Sequence, residues 1–425
     1  MDALQRDILF YLVDDALAKL RKKSAKSDAS ALLLREFLTT RNEIERDNIP
    51  WHAHFTRLHE LYGYLGGVLT ADHWQSPAYD QYAADEAGDE RGKIVGNFND
   101  YKRDQHPVGL AWERAFAAAY VPRFGLKKPQ VFTTASGMAA LTLAVTAVKK
   151  HVPHDGMIAV GKHSYFQNKE LLTALFREDR IIYFDETKPE GLAGQDVYAV
   201  FFDSVANDLD MTVADMPGMT KVVSNMSHRV YVVADATCLS TPRFHVSNIP
   251  KNISMLVWES LVKFHQFALD RAHGGVLWAV NVSETELYFL RSHAGVILPE
   301  WSAAVLPSPN RKLFFRYMER LIENAAAISA HLHHPCPGPF ICFTEPSVSV
   351  RQYREYIKRV MQEAKKRGIP LVAGSSFGLP VTRVYAVGMS TRFVRPFLRV
   401  SPGIESSEEI ERVGHALYES VQNFL

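Results

Sequence analysis

From about Pro129 onward, short β-rich runs alternate with helical segments, and this alternation limits the chain to few architectures. The runs are Val131–Thr134, Met157–Val160, Ile181–Phe184, Val197–Asp203, Val230–Asp235, Met255–Trp258 and Gly275–Ala279. Strands separated by helical stretches predict an α/β fold, a mainly parallel sheet with flanking helices. In open sheets of this kind the carboxyl ends of the strands face the ligand crevice. The residues just after each run are therefore the first place to look for chemistry.

Two further regions flank this alternation. Residues 2–20 place Leu4, Ile8, Leu9, Leu12, Val13, Leu17 and Leu20 at helical spacing, and 28–47 and 53–65 also read as amphipathic helices. A helical N-terminal extension is expected over 1–95, packed against the body or a partner subunit. It ends in a polar stretch, 71–104, that reads as a long loop. On the other side, Pro299–Pro309 reads as a proline-bearing break and 310–334 as a helix. Then come Val348–Val350, a helix over 351–367, Pro370–Ala373, Val381–Tyr385, Phe397–Ser401 and a helix over 405–424, which suggest a smaller α+β domain. The expected division is 1–95 for the extension, 96–300 for a large α/β domain and 301–425 for a small C-terminal domain, which suits 425 residues.

Composition removes several classes of function. Apolar residues make up 47% and charged residues 22%, as in a soluble globular protein, and a formal charge of +1 gives no footprint for nucleic acid. Arg21, Lys22, Lys23 and Lys26 read as a solvated helix end. No run reaches the roughly 18 apolar residues of a membrane span, and Asp2, Asp7, Asp14 and Asp15 interrupt any signal-peptide core. No membrane partner is expected. Cys238, Cys336 and Cys342 are too few for a disulfide framework, which predicts a cytoplasmic protein. His331, His333, His334 and Cys336 cluster, but no second ligand pair accompanies them, and no metal is expected.

Three segments carry chemistry. In Thr133-Thr134-Ala135-Ser136-Gly137-Met138 a strand ends, a small-residue turn follows and a helix begins. Free N–H groups and the positive end of a helix dipole meet there, which suits a phosphate, although a plain cap by Ser136 has the same pattern. The strand Val230–Asp235 ends in a carboxylate at the crevice edge; alone, it also reads as an aspartate in a turn. Met255–Trp258 leads through Ser260 to Lys263 in apolar surroundings, followed by Gly274-Gly275. A lysine that forms an imine must be partly desolvated so that its amine is neutral often enough to attack; the competing reading is a surface lysine.

The order of these three segments resembles the Cys/Met-metabolism family of fold-type I enzymes, the cystathionine γ-synthase/γ-lyase group, over roughly residues 95–425. The resemblance implies pyridoxal 5′-phosphate (PLP) as cofactor, held by Lys263 as a Schiff base, in the fold-type I PLP-dependent transferase fold. It implies a phosphate site at Ser136, Gly137 and Met138, with Ser260 from the lysine motif; Val262 stands where the family has a second hydroxyl. Tyr165 falls where the family stacks a tyrosine on the cofactor ring. Asp203-Ser204-Val205-Ala206-Asn207 looks like the family's Glu-Ser-x-x-Asn, which makes Asn207 a contact of the phenolic oxygen. Asp235-Ala236-Thr237 looks like its Asp-x-Thr, with Asp235 on the pyridine nitrogen. Tyr101-Lys102-Arg103 resembles a Tyr-x-Arg lent by a neighbouring subunit, so a homodimer or homotetramer with a shared active site is implied. Phe397–Glu405 resembles the strand whose arginine binds the substrate carboxylate, which points to Arg399, and Ser375–Gly378 resembles the loop beside it, which points to Ser376.

The implied activity is β- or γ-elimination, or replacement, on a small L-amino acid with a sulfur, oxygen or halide leaving group. Lys263 moves the protons, Tyr165 assists as acid and Asp235 keeps the ring electron-poor. The helical extension and Val262 point to a specialised amino-acid pathway. Two other readings stay open at this stage: a transaminase, racemase or decarboxylase on the same scaffold, or a non-catalytic PLP-binding regulator.

Overall fold

A computed structural model describes residues 1–23, 27–71, 106–122, 129–246, 248–334, 336, 338–344, 349–387 and 396–422. Four helices come first: α1 (Ala3–Lys22), α2 (Asp28–Arg46), α3 (Trp51–Thr70) and α4 (Pro107–Tyr120). Strands and helices then alternate as β1 (Gln130–Thr134), α5 (Gly137–His151), β2 (Met157–Gly161), α6 (Phe166–Leu175), β3 (Ile181–Phe184), β4 (Val197–Asp203), α7 (Met216–Ser224), β5 (Val230–Asp235), β6 (Ile253–Ser260) and β7 (Gly275–Val280). Next come α8 (Glu284–His293), α9 (Glu300–Val305), α10 (Arg311–Leu332), β8 (Ile341–Phe343) and α11 (Val350–Lys366). The chain finishes with β9 (Val372–Ala373), β10 (Arg383–Val387), β11 (Phe397–Ser401) and α12 (Ser407–Gln422).

The first seven strands form one sheet in the order β1-β7-β6-β5-β4-β2-β3. Strand β7 is antiparallel to β1 and β6, and the remaining pairs are parallel. Strands β1, β2, β4, β5 and β6 therefore all end at one edge, and β7 begins there. The central strands β5 and β6 are buried almost throughout, which is why they read as continuous apolar runs rather than alternating ones. A second sheet, β8-β11-β10-β9, packs Ile341, Val384 and Val400 against Ile328, Tyr356, Val360 and Val413 of α10, α11 and α12.

The N-terminal helices form a layer with its own apolar contacts that also grips the rest of the chain. Leu12, Phe37 and Tyr62 are fully buried, and the Tyr62 hydroxyl donates to the Leu12 carbonyl at 2.7 Å. Gln5 donates to the Ile404 carbonyl at 2.9 Å, and the Trp51 indole donates to Glu409 at 2.8 Å. The Tyr11 ring meets Phe267, four residues beyond Lys263, edge-on at 5.1 Å. Gly66 of α3 lies against Trp301 of α9; a Cβ at this glycine would come within 2.2 Å of the indole nitrogen. Among the described residues no helix is long and apolar enough to cross a membrane.

Two expectations in the C-terminal part are corrected. The break at Pro299–Pro309 contains helix α9: Pro299 caps its start, where a missing N–H costs nothing, and Pro307 follows its end. Val348–Val350 is not a strand at its described end. Ser349 and Gln352 form a reciprocal capping box, and Val350 opens α11. A cap that satisfies two backbone donors outweighs the β preference of one valine. The strand that pairs with β11 on that side is instead β8. The stretch 71–104 lies outside the described residues apart from Ala71.

Gly66→Ala is expected to destabilise the protein by about 1–3 kcal/mol, because the indole has to move to admit a methyl group. A thermal melt checks this; an unchanged Tm would mean that the α3–α9 contact is loose.

Candidate active site

The edge where the parallel strands end opens into a cavity of about 630 Å³. Its floor begins at β1. Ser136 caps α5, its Oγ accepting the Ala139 N–H at 3.0 Å. That leaves the first two helical N–H groups, of Gly137 and Met138, without intrahelical acceptors, and leaves the Ser136 hydroxyl hydrogen free to donate. Strand β7 passes directly beneath. A Cβ on Gly275 would lie 2.2 Å from the Ser136 carbonyl oxygen, and one on Gly137 would lie 3.0 Å from the Ser260 Cβ. Gly275 is required by close backbone approach, and Gly137 packs tightly against Ser260. They bring Ser260 alongside the helix N-terminus, and Thr237 Oγ1 fixes the strand end by accepting the Ser260 N–H at 3.1 Å.

Strands β4 and β5 end in register, with Asp203 opposite Asp235. Both carboxylates are buried, and no cation pairs with either among the described residues. Burial pushes Asp235 up to about 6, while the Thr237 N–H, donating to Oδ1 at 2.8 Å, and Asn168 oppose the rise. Burial, and then the neighbouring Asp235, push Asp203 well above the usual carboxylate range. Asp203 accepts from the Tyr165 N–H at 2.9 Å, from Asn168 at 3.1 Å and from Asn207 at 2.7 Å. The Tyr165 ring, at the start of α6, lines the same cavity.

Lys263 reaches the cavity from the turn after β6. Burial pushes its amine below the usual lysine value, and Nζ donates to Ser376 Oγ at 2.7 Å. The loop that carries this serine is shaped around the lysine. Ser376 holds φ at +116° and Gly378 at +69°, and a Cβ on Gly378 would come within 2.8 Å of the Lys263 carbonyl group. Left-handed backbone at a serine is strained and persists where the surroundings hold it.

Arg399, on β11 opposite Tyr385 of β10, closes the far wall. It is only 4% exposed, with the Phe340, Tyr385 and Phe397 rings within 6 Å of its guanidinium. It donates to Asn207 Oδ1 at 3.3 Å and touches Tyr385 Oη at 3.4 Å and Met211 Sδ at 3.2 Å. Its Nε has no partner, and no carboxylate pairs with it among the described residues. A buried guanidinium without a counter-ion is costly unless a ligand supplies the charge.

The fold thus brings Ser136, Gly137, Met138, Tyr165, Asn207, Asp235, Thr237, Ser260, Lys263, Ser376 and Arg399 around one cavity. Tyr101 and Arg103 lie outside the described residues. Sequence reading missed Asn168, Phe377 and Tyr385. Tyr385 could have been found by pairing β10 with β11, which sets it beside Arg399. Nothing local marks Asn168. Cys238 also lines the cavity, and burial pushes its thiol up to about 12, so it stays protonated and is no nucleophile. These residues suit PLP: free N–H groups and hydroxyls for a phosphate, a buried acid for a pyridinium, a desolvated amine for the aldehyde.

The sequence model of the Cys/Met metabolism PLP-dependent enzymes matches residues 73–363. Over 335 residues the chain is 23% identical to the bifunctional enzyme flvA of Aspergillus flavus, covering 70% of this chain and 40% of that protein. The chain therefore spans less than half the length of this relative. In structure it resembles cystathionine gamma synthase from Xanthomonas oryzae pv. oryzae at a TM-score of 0.62 and 18% identity, covering 83% of this chain and 92% of that one. It resembles cystathionine gamma-lyase from Lactobacillus plantarum at a TM-score of 0.60 and 17% identity, covering 82% and 93%. At these identities the structural likeness establishes the fold, the fold-type I arrangement expected from the sequence.

Two outcomes follow. Gly275→Ala drives a methyl group into backbone of the Ser136 turn, so it should abolish PLP retention; a variant that retains the visible absorbance would contradict the close approach. Asp235 binds its proton more tightly folded than unfolded, so the cofactor-free protein should lose stability as pH rises from about 4 through about 6. The gap between 3.8 and about 6 corresponds to at most about 3 kcal/mol. Asp235→Asn should flatten that dependence in denaturant titrations across the same range.

Proposed function

The chain belongs to the Cys/Met metabolism PLP-dependent enzymes, and from that premise we propose that it catalyses β- or γ-elimination, or the corresponding replacement, on an L-amino acid, with γ-elimination favoured. The leaving group is sulfur, oxygen or halide, and the pathway a specialised one. The observation that carries this reading is Arg399, a buried guanidinium without an acid partner among the described residues, in the same cavity as Lys263 and Asp235. Pure cofactor storage has no use for such a group, whereas an α-carboxylate matches it.

PLP, when bound, supplies an electron-poor ring that accepts the pair left when a bond at Cα breaks. The chain's own residues do the rest. Ser136, Gly137, Met138 and Ser260 hold the phosphate, Thr237 fixes the strand end beside them, and Lys263 supplies the attaching amine. Asp235 keeps a proton on the ring nitrogen, Asn207 faces the phenolic oxygen and Tyr165 stacks on the ring. Arg399 binds the substrate carboxylate and so sets which Cα bond faces Lys263. The Lys263 amine, its basicity reduced by burial, takes the α-proton and then moves a proton at Cβ. Ser376 holds that amine in place between transfers. Tyr165 gives a proton to the departing group; burial, and then Asp235, raise its hydroxyl, which keeps it protonated. We read the assembly as a homodimer or homotetramer in which Tyr101 and Arg103 complete a neighbour's phosphate site, located in the cytoplasm. Residues 1–95, 96–300 and 301–425 are read as its extension, large domain and small domain.

Purified protein loaded with PLP should show a visible band that changes with one member of a panel of L-amino acids carrying β- or γ-leaving groups, releasing ammonia and a keto acid or unsaturated product. Release dependent on a stoichiometric amine acceptor would make it a transaminase instead. Lys263→Ala should lose the band and turnover together. Arg399→Ala should keep the band and raise KM at least about tenfold, the loss expected for charged hydrogen bonds; an unchanged KM would remove the clamp.

A further inference from the structure

Asn168 belongs to no part of the chemistry assigned above, yet it sits between the two buried carboxylates of the site. It lies three residues beyond Tyr165 on α6 and is 4% exposed. Its single amide nitrogen donates to Asp203 Oδ1 at 3.1 Å and to Asp235 Oδ2 at 3.2 Å. The amide can face them only by its NH₂ end, since its oxygen there would set three acceptors against one another. One NH₂ group carries two hydrogens, and each carboxylate takes one.

We propose that Asn168 is a positioning residue that keeps Asp235 ionised for the cofactor's ring nitrogen by sharing one amide between Asp235 and Asp203. Adjacent buried carboxylates repel, and each would sooner bind a proton than stay charged. A neutral donor between them removes part of that cost without adding a cation that would compete for Asp235. The link continues on the other side: Asn207 donates to Asp203 at 2.7 Å and accepts from Arg399 at 3.3 Å. Asp235, Asn168, Asp203, Asn207 and Arg399 therefore form one hydrogen-bonded chain from the ring-nitrogen partner to the guanidinium. This inference rests on the PLP-binding reading of Asp235 and is independent of the elimination reading.

The test uses the whole protein loaded with PLP labelled with ¹⁵N in the ring, read by NMR, so no substrate is needed. In the wild type the ring-nitrogen resonance should lie at the protonated position. Asn168→Leu keeps the branched shape and the number of side-chain heavy atoms and removes both donors. Asp235 then becomes the stronger base and takes the proton, so the resonance should move toward the neutral-pyridine position. Asn168→Ser keeps one donor and should give an intermediate shift. A folded, loaded Asn168→Leu protein with the wild-type resonance would overturn the proposal. Should Asn168→Leu fail by circular dichroism or fail to retain PLP, Asn168→Ser decides alone: an intermediate shift supports the bridge, and an unchanged one overturns it.

Discussion

Four ionisable side chains, Asp203, Asp235, Lys263 and Arg399, are drawn away from water around one cavity, with no ion pair among them. Most of the local structure follows from that constraint. Direct pairing would satisfy the charges but would leave nothing for a ligand to bind. Neutral groups therefore stand between them: the amides of Asn168 and Asn207 around Asp203, the Thr237 N–H on Asp235, the Ser376 hydroxyl on Lys263, three aromatic rings around Arg399. Each lowers the cost of burial without cancelling the charge. On the proposed reading, the site is thereby held ready for a cofactor with a cationic ring nitrogen and an aldehyde and for a substrate carboxylate.

Holding such a site demands rigidity from parts of the chain that never touch the ligand. Gly275 lets β7 approach the α5 N-terminus more closely than any side chain would allow, and Gly137 packs tightly against Ser260 at the end of β6. Beyond Lys263 the backbone turns through left-handed conformations at Phe267, Ala268 and Asp270. Gln266 pins that turn by donating to the Leu261 and Ala272 carbonyls and accepting from the Arg271 and Ala272 N–H groups. The N-terminal layer covers the same turn, with Tyr11 of α1 against Phe267 and Gly63 of α3 against the Arg271 guanidinium. The helical extension is thus built into the support of the lysine loop.

How much of this was legible in the sequence depends on the range of the interactions involved. The central strands of the main sheet announced themselves, because a strand buried on both faces must be apolar throughout, and such runs stand out. The candidate positions at strand ends were visible too: Asp235 ends an apolar run, and Ser136 stands in the small-residue turn between a strand and a helix. The short elements after Pro299 were harder. Prolines bracket α9 rather than preventing it, and a capping box converts Val350 from an apparent strand residue into the first residue of a helix. At α11 a local hydrogen-bonding device outweighed residue preference, and at α9 the proline falls where a missing N–H costs nothing.

By itself, the sequence determined the α/β alternation, the helical N-terminus and the candidates Lys263 and Asp235, since burial period and the placement of polar residues after apolar strands are local properties; Arg399 entered only through the family resemblance. Only the tertiary structure decided which of these groups meet. Ser376 reaches Lys263 across 113 residues, Asn207 reaches Arg399 across 192, and Asn168 reaches Asp235 across 67. No local pattern encodes such contacts, because hydrogen bonds between distant segments are fixed by sheet register and crossing geometry, and these exist only once the chain has folded.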